Sequence, residues 1–135
     1  MNRLIPSKTA AIIATVMLLG YAVFQFCLIL GLPWGHYAWG GQNEILPIAL
    51  RIGSAMSILI YLLAISLILS RARIIKAVKN KKITYYGTWV FTIYFFVGIL
   101  MNAVSRSPAE RYNVPFILVL TFMFLIVAKS EGAKL

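Results

Sequence analysis

The stretch that decides the fold of this chain is "TAAIIATVMLLGYAVFQFCLILGL", residues 9–32, which contains no charged side chain. An α-helix rises about 1.5 Å per residue, so this run is long enough to cross a hydrocarbon core of roughly 30 Å. Arg3 and Lys8 precede it as in a signal peptide, but its apolar core is too long and no small-x-small cleavage site precedes Pro33. We therefore expect a retained membrane-spanning helix.

Three further apolar runs follow, at about 47–70, 83–104 and 108–128. The chain is 61% hydrophobic and only 12% charged, with a mean hydropathy of +0.89. A soluble domain is typically about 45–50% apolar, and the alternating ten-residue strands of a membrane barrel are absent. The pattern predicts an all-α protein: one integral membrane domain over residues 1–135, folded as a four-transmembrane-helix bundle.

Basic residues are distributed unevenly over the segments between these runs. Ten of the 13 Lys and Arg lie in the N-terminus, the central connection and the tail, against three in the other two connections. The positive-inside rule therefore predicts that both termini face the cytoplasm, as for a multi-pass protein of the cell (plasma) membrane. A net charge of +10 also suits nucleic acid, but four membrane runs leave no soluble module to bind it.

Small and polar residues predict the faces on which the helices pack, because apolar residues gain little by leaving lipid. Such stripes occur in the first three runs and predict that these helices supply most contacts: Ala10, Ala14, Tyr21 and Gln25; Gly53, Ser54, Ser57, Tyr61 and Ala64; Phe91, Phe95, Gly98 and Asn102. The fourth run is apolar all round apart from Thr121, which predicts a peripheral helix. Pro115 either kinks that helix or marks its true start.

The extracytoplasmic end collects most polar groups of the two short connections. A ligand pocket there would use the following candidates: Trp34, His36, Trp39, Glu44, Arg51, Asn102, Arg106, Glu110 and Arg111. Arg51 would hold an anionic group or pair with a glutamate, and His36 would exchange a proton near neutral pH. The structural alternative is ordinary interfacial anchoring: Arg51 snorkels, Glu110 belongs to a capping box that begins at Ser107, and the Trp residues anchor at the interface.

The central connection, "RARIIKAVKNKK", predicts contact with anionic lipid headgroups at the cytoplasmic face. Its candidate residues are Arg71, Arg73, Lys76, Lys79, Lys81 and Lys82. Ile74, Ile75 and Val78 would share a face if the second helix continued as an amphipathic turn. The alternative is that these cations only fix the topology.

Catalytic, metal and cofactor patterns do not emerge from the sequence. The chain has no Asp and one His, and the HExxH, phosphate-loop and dinucleotide patterns do not occur. Cys27 is the only cysteine, so neither an intrachain disulfide nor a cysteine cluster can form. We expect no cofactor and no metal, and a non-catalytic protein.

The turn "PWGHYAWGGQNEILP" followed by "LRIGSA" resembles the first external loop of small four-helix integral membrane proteins of bacteria. These families have no assigned reaction, so the resemblance implies the topology and no activity.

The leading hypothesis is a membrane protein that binds a partner or small ligand at its extracytoplasmic polar end. We expect the lipid bilayer to surround the protein, and a second copy or another membrane protein is a candidate partner. One rival is a small oligomeric channel or transporter. The other is an enzyme acting on a lipid or quinone at the outer leaflet, which requires His36, Glu44 and Arg51 to converge around a cavity.

Overall fold

The structure, a computed structural model, describes residues 5–130, so the basic residues Arg3 and Lys134 lie outside the described range. Within it the chain is all-helical, with five helices: α1 (Ser7–Ile29), α2 (Ile48–Arg71), α3 (Lys81–Ala103), the single-turn α4 (Pro108–Arg111) and α5 (Val114–Ala128). α1, α2, α3 and the combined segment Pro108–Ala128 are each long and apolar enough to cross a membrane. The predicted all-α class with four spans is confirmed.

α1 and α2 each end in a hydrogen-bonded turn of the same type. At the end of α1, the Gly31 amide donates to the Leu28 carbonyl, and the Leu32 amide donates to the Cys27 carbonyl. This Schellman pattern needs a left-handed residue, and Gly31 supplies it with φ +92°. At the end of α2 the same role falls to Arg73, with φ +61°. The predicted amphipathic extension of α2 is therefore wrong, because the left-handed turn stops the helix.

Side-chain caps and prolines set the other helix starts. The Asn80 side chain accepts hydrogen bonds from two backbone amides in the first turn of α3, and Ser107 caps α4 by accepting from the Glu110 amide. Pro115 is the second residue of α5, where its missing N–H costs no helical hydrogen bond. Of the two sequence alternatives, Pro115 marks the true start of the fourth long helix, and α4 is a separate turn before it.

The four long helices form a ring in which α1 contacts α2 and α5, and α3 contacts the same two helices. α5 is thus an integral wall of the bundle, and the prediction of a peripheral fourth helix is wrong. Its fully buried Phe124 packs against Phe91 and Phe95, with ring centroids 6.4 and 5.0 Å away. An evenly apolar helix suits a protein core as well as lipid, so its composition could not distinguish them.

The predicted contact faces of the first three helices are buried or half-buried. Ala10, Ala14, Ser54 and Ala64 are completely buried. The opposite faces carry an exposed apolar belt, exemplified by Val16 at 64% exposure. A surface of this kind requires lipid as its solvent, in agreement with the hydropathy.

α3 also buries a row of threonines at four-residue spacing. The Thr88 hydroxyl donates to the Thr84 carbonyl at 2.7 Å, and the Thr92 hydroxyl donates to the Thr88 carbonyl at 2.8 Å. Each hydroxyl is therefore satisfied within its own helix. Nearby, Gly87 lies so close to Leu67 of α2 that a Cβ would approach a Leu67 methyl group to 2.8 Å.

The bundle has two distinct ends. The connections 30–47 and 104–113 meet at the first, which we call the hairpin end, because the Ser107 hydroxyl donates to the His36 carbonyl. The connection 72–80 lies at the second, the basic end, together with the start of α1 and the end of α5. The latter is placed there by Arg71, whose guanidinium donates to the Ala128 carbonyl.

Candidate ligand site at the hairpin end

The two connections at the hairpin end are fastened to each other by hydrogen bonds. The Ser107 hydroxyl lies 2.7 Å from the His36 carbonyl oxygen, and the Asn113 side-chain amide lies 3.0 Å from that of Tyr37. Gly41 is packed directly against Ser107, so that a Cβ there would overlap the serine side chain. The expectation that both connections share one end is therefore met by direct contact.

The first connection folds back on itself before it reaches α2. It contains two 3-10 turns, Gly35–Tyr37 and Trp39–Gly41. The Gly35 amide donates to the Glu44 carbonyl at 2.8 Å, which closes the loop. A Cβ at Gly35 would collide with the Asn43 backbone, so glycine is required by the close approach of two chain segments.

The two tryptophans of this loop have different roles. The Trp39 indole donates to the hydroxyl of buried Ser54 at 3.1 Å, and its ring covers Gly53 of α2. Trp39 therefore braces the loop against a helix. Trp34 lies parallel to Phe24 of α1, with an interplanar angle of 1° and ring centroids 6.4 Å apart.

His36, Glu44 and Arg51 do not converge. The His36 ring nitrogen Nδ1 lies 3.1 Å from the Gly41 carbonyl, and because a carbonyl only accepts, this nitrogen carries the proton. Glu44 is exposed. Arg51 Nε donates to the Leu46 carbonyl at 2.8 Å, and no ion pair joins Arg51 to a glutamate within residues 5–130.

The second connection uses its polar residues to hold its own shape. The Ser105 hydroxyl donates to Glu110 Oε2 at 2.6 Å, and Arg111 Nε donates to the Ser105 carbonyl at 2.8 Å. Asn102 donates to the Gly98 carbonyl of α3. Arg106 is exposed.

An open cleft of about 600 Å³ lies beside this network, between α1 and the start of α5. Its walls are largely apolar and aromatic: Met17, Gly20, Tyr21, Phe24, Trp34, Tyr37, Tyr112, Asn113 and Phe116. The volume is within the range of about 300–1,000 Å³ usual for small-molecule sites. The α1 residues of the wall span seven positions, or roughly 10 Å along the helix axis. The apolar part of the wall is therefore elongated along α1.

Of the sequence-predicted site residues, only Trp34 lines this cleft. Asn102 lies just behind it, because Asn113 reaches the Asn102 amide oxygen at 3.4 Å. Sequence reasoning missed the aromatic wall because it followed charge and polarity. A signal was nevertheless present: Met17, Gly20, Tyr21 and Phe24 recur at the i, i+3, i+4, i+7 spacing of one helical face.

At the basic end, Arg71 differs from the other five candidate lipid contacts. Its side chain is 2% exposed, and Nη2 donates to the carbonyls of Ala128 and Ser130 at 3.1 and 3.0 Å. Its guanidinium carbon lies 4.9 Å from the centre of the Tyr85 ring. Arg71 is therefore bound inside the protein and cannot serve as a headgroup contact.

The other five cations surround the loop 72–80 on the surface, and all are exposed: Arg73, Lys76, Lys79, Lys81 and Lys82. Ile74 and Ile75, between them, are also exposed. The loop is held to α2 by the Val78 amide, which donates to the Ser70 hydroxyl at 3.1 Å.

Residues 5–130 contain no group of three His, Cys or acidic side chains able to hold a metal ion. The chain matches no family model, no curated protein and no solved structure at a significant level. The fold itself supports the coarse conclusion: this is a multi-pass membrane protein with four membrane-spanning segments.

Proposed function

We propose that this membrane protein binds a small amphiphile in the cleft at the hairpin end. The observation that carries the proposal is the aromatic wall between α1 and α5, which opens on the apolar surface of the bundle. Lipid surrounds that surface, so a molecule already dissolved in the bilayer can enter from the side. An apolar chain would lie along Met17 and Phe24, and a polar head would reach Asn113 and the Tyr112 hydroxyl.

Gly20 offers a direct test, because a Cβ there meets nothing within 4 Å. Gly20→Phe therefore places a ring in the cleft, and its Cβ displaces no neighbouring atom. Leu19→Phe is the matched control: it adds the same ring at an adjacent exposed position of α1 that does not line the cleft.

The probe is a phosphatidylcholine with a photoreactive diazirine on one acyl chain, in nanodiscs, with adducts mapped by mass spectrometry. We expect adducts concentrated on the α1 wall and on residues 112–116, lost in Gly20→Phe and retained in Leu19→Phe. Labelling spread evenly over the exposed belt, or insensitive to Gly20→Phe, would contradict the proposal.

The two rival functions have less support. A channel within one copy would need a path through the bundle, where Leu18, Ile68 and Phe124 are completely buried. Ion or solute flux in reconstituted liposomes would restore that rival. An outer-leaflet enzyme would need His36, Glu44 and Arg51 around the cleft, and none of the three lines it.

We further propose that the basic end faces the cytoplasm and contacts anionic lipid headgroups through the five exposed cations. Each cation near an anionic surface contributes about 1 kcal/mol. In nanodiscs, Lys79→Gln with Lys82→Gln should reduce retention of phosphatidylglycerol relative to phosphatidylcholine in native mass spectrometry. Arg106→Gln, at the hairpin end, is the control and should leave retention unchanged; equal loss in both would contradict the assignment.

The orientation has its own test. In a Cys27→Ala chain, single cysteines at the exposed positions Gln42 and Lys79 should react with an impermeant maleimide from opposite faces of the membrane. Reaction of both from one face would overturn the topology.

A further inference from the structure

Behind the cleft, α1 carries two buried polar atoms that make no hydrogen bond to another group of residues 5–130: the Tyr21 hydroxyl oxygen and Gln25 Oε1. The two residues are one helical turn apart, so they lie on the same face of α1. Gln25 is 8% exposed in total. A polar group that stays unpaired in lipid costs several kcal/mol, so this pair needs a partner.

A third polar group faces the same place from α2. The Tyr61 ring centroid lies 6.4 Å from that of Tyr21, and the Gln25 side chain lies beside the Tyr61 hydroxyl. The Tyr21 and Tyr61 hydroxyls and the Gln25 side-chain amide thus lie close together where α1 packs against α2. A buried water molecule typically makes about three hydrogen bonds to groups of this kind.

We propose that the Tyr21–Gln25–Tyr61 cluster binds a water molecule within the wall of the bundle. The water accepts from the Tyr21 hydroxyl, donates to Gln25 Oε1 and makes its third bond with the Tyr61 hydroxyl. The Tyr21 ring also lines the cleft, so the cluster is separated from that opening by one side chain. This inference does not depend on what the cleft binds.

The first test is a double-mutant cycle on the unfolding equilibrium constant in bicelles, using Tyr21→Phe, Gln25→Leu and both together. A shared water predicts that each single change raises the constant about tenfold and that the double change raises it little further. Tyr86→Phe, which removes an exposed tyrosine hydroxyl, is the control and should change it less than twofold. The proposal would be overturned if the unfolding constant were unchanged or lowered in the two single variants. It would also be overturned if the increase in the double variant equalled the product of the two single increases.

The second test compares the wild type with Tyr21→Phe and asks whether a water molecule lies beside the Gln25 side chain. A cross-relaxation peak between water and the Gln25 side-chain amide protons is expected in the wild type and should vanish in Tyr21→Phe. Its absence in the wild type would overturn the proposal.

Discussion

Replacing Arg71 with methionine tests how the basic end is held together. The guanidinium donates to two carbonyls at the end of α5 and lies against Tyr85 of α3, while Arg71 itself ends α2. It therefore connects three helices at one point. Methionine keeps the unbranched apolar inner part of the side chain, but it is shorter and removes the charge and every donor.

The expected loss follows from these contacts. A hydrogen bond from a charged donor contributes about 1.5–3 kcal/mol, and a desolvated cation–π contact contributes up to about 2 kcal/mol. Burying the charge opposes this gain by several kcal/mol, and that cost disappears in the variant. We expect a net decrease in the free energy of unfolding of about 2–4 kcal/mol. The free energy of unfolding of Arg71→Lys should lie between those of the wild type and Arg71→Met, because an ammonium group keeps the charge but is on a shorter side chain and lacks the planar guanidinium that lies against the Tyr85 ring.

The assay is the free energy of unfolding in bicelles, measured by steric trapping. The control is Arg73→Met, which removes one positive charge from an exposed side chain two residues further along the chain. Residue 73 has the same left-handed backbone conformation in the wild type and in this control, so the backbone strain is unchanged. That change should cost less than about 0.5 kcal/mol. If Arg71→Met lowers the free energy of unfolding no more than Arg73→Met does, the contacts of Arg71 do not stabilise the bundle and the reasoning is refuted.

Two further predictions concern the first connection. Gly40 and Gly41 both have positive φ, at +81° and +73°, but only Gly41 is packed against the second connection. We therefore expect Gly40→Ala to lower the free energy of unfolding by about 1–2 kcal/mol through backbone strain. Gly41→Ala should lower it by about 1–3 kcal/mol more, as measured by thermal or chemical unfolding, because its Cβ would also overlap Ser107. Equal decreases would contradict the close contact between Gly41 and the second connection. Trp39→Phe should cost about 1–3 kcal/mol because it leaves the buried Ser54 hydroxyl without its donor, and Ser54→Ala in the same chain should recover part of that loss. Trp34→Phe, which breaks no such bond, should change the unfolding free energy less than Trp39→Phe does, and the reverse order would count against the bracing role.

The four spans could be predicted from the sequence because hydropathy is a sum over about 20 residues, and no single position decides it. Local signals also identified the Ser107 cap and offered Pro115 as one of two possible starts for the last long helix. These features depend on residues within one turn of each other. Their physical cause is therefore visible in a short window of the chain.

Features that depend on distant residues could not be predicted in this way. Arg71 lies in the same basic segment as Arg73, and its burial is explained by distant groups: the carbonyls of Ala128 and Ser130, 57 and 59 positions away, and the Tyr85 ring. The cleft likewise needs α5 to lie beside α1. The candidate site on Arg51 was drawn from charge, whereas the structure satisfies that charge locally with the Leu46 carbonyl.

The threonine row of α3 has a consequence for how the protein enters its membrane. Because the Thr88 and Thr92 hydroxyls donate to carbonyls of the same helix, neither needs a partner from another helix when that segment enters lipid. α1 is in the opposite position, because Gln25 has an oxygen still to satisfy when the nascent segment leaves the translocation channel. The order of synthesis helps here: α2, which contributes Tyr61, is the next segment to emerge.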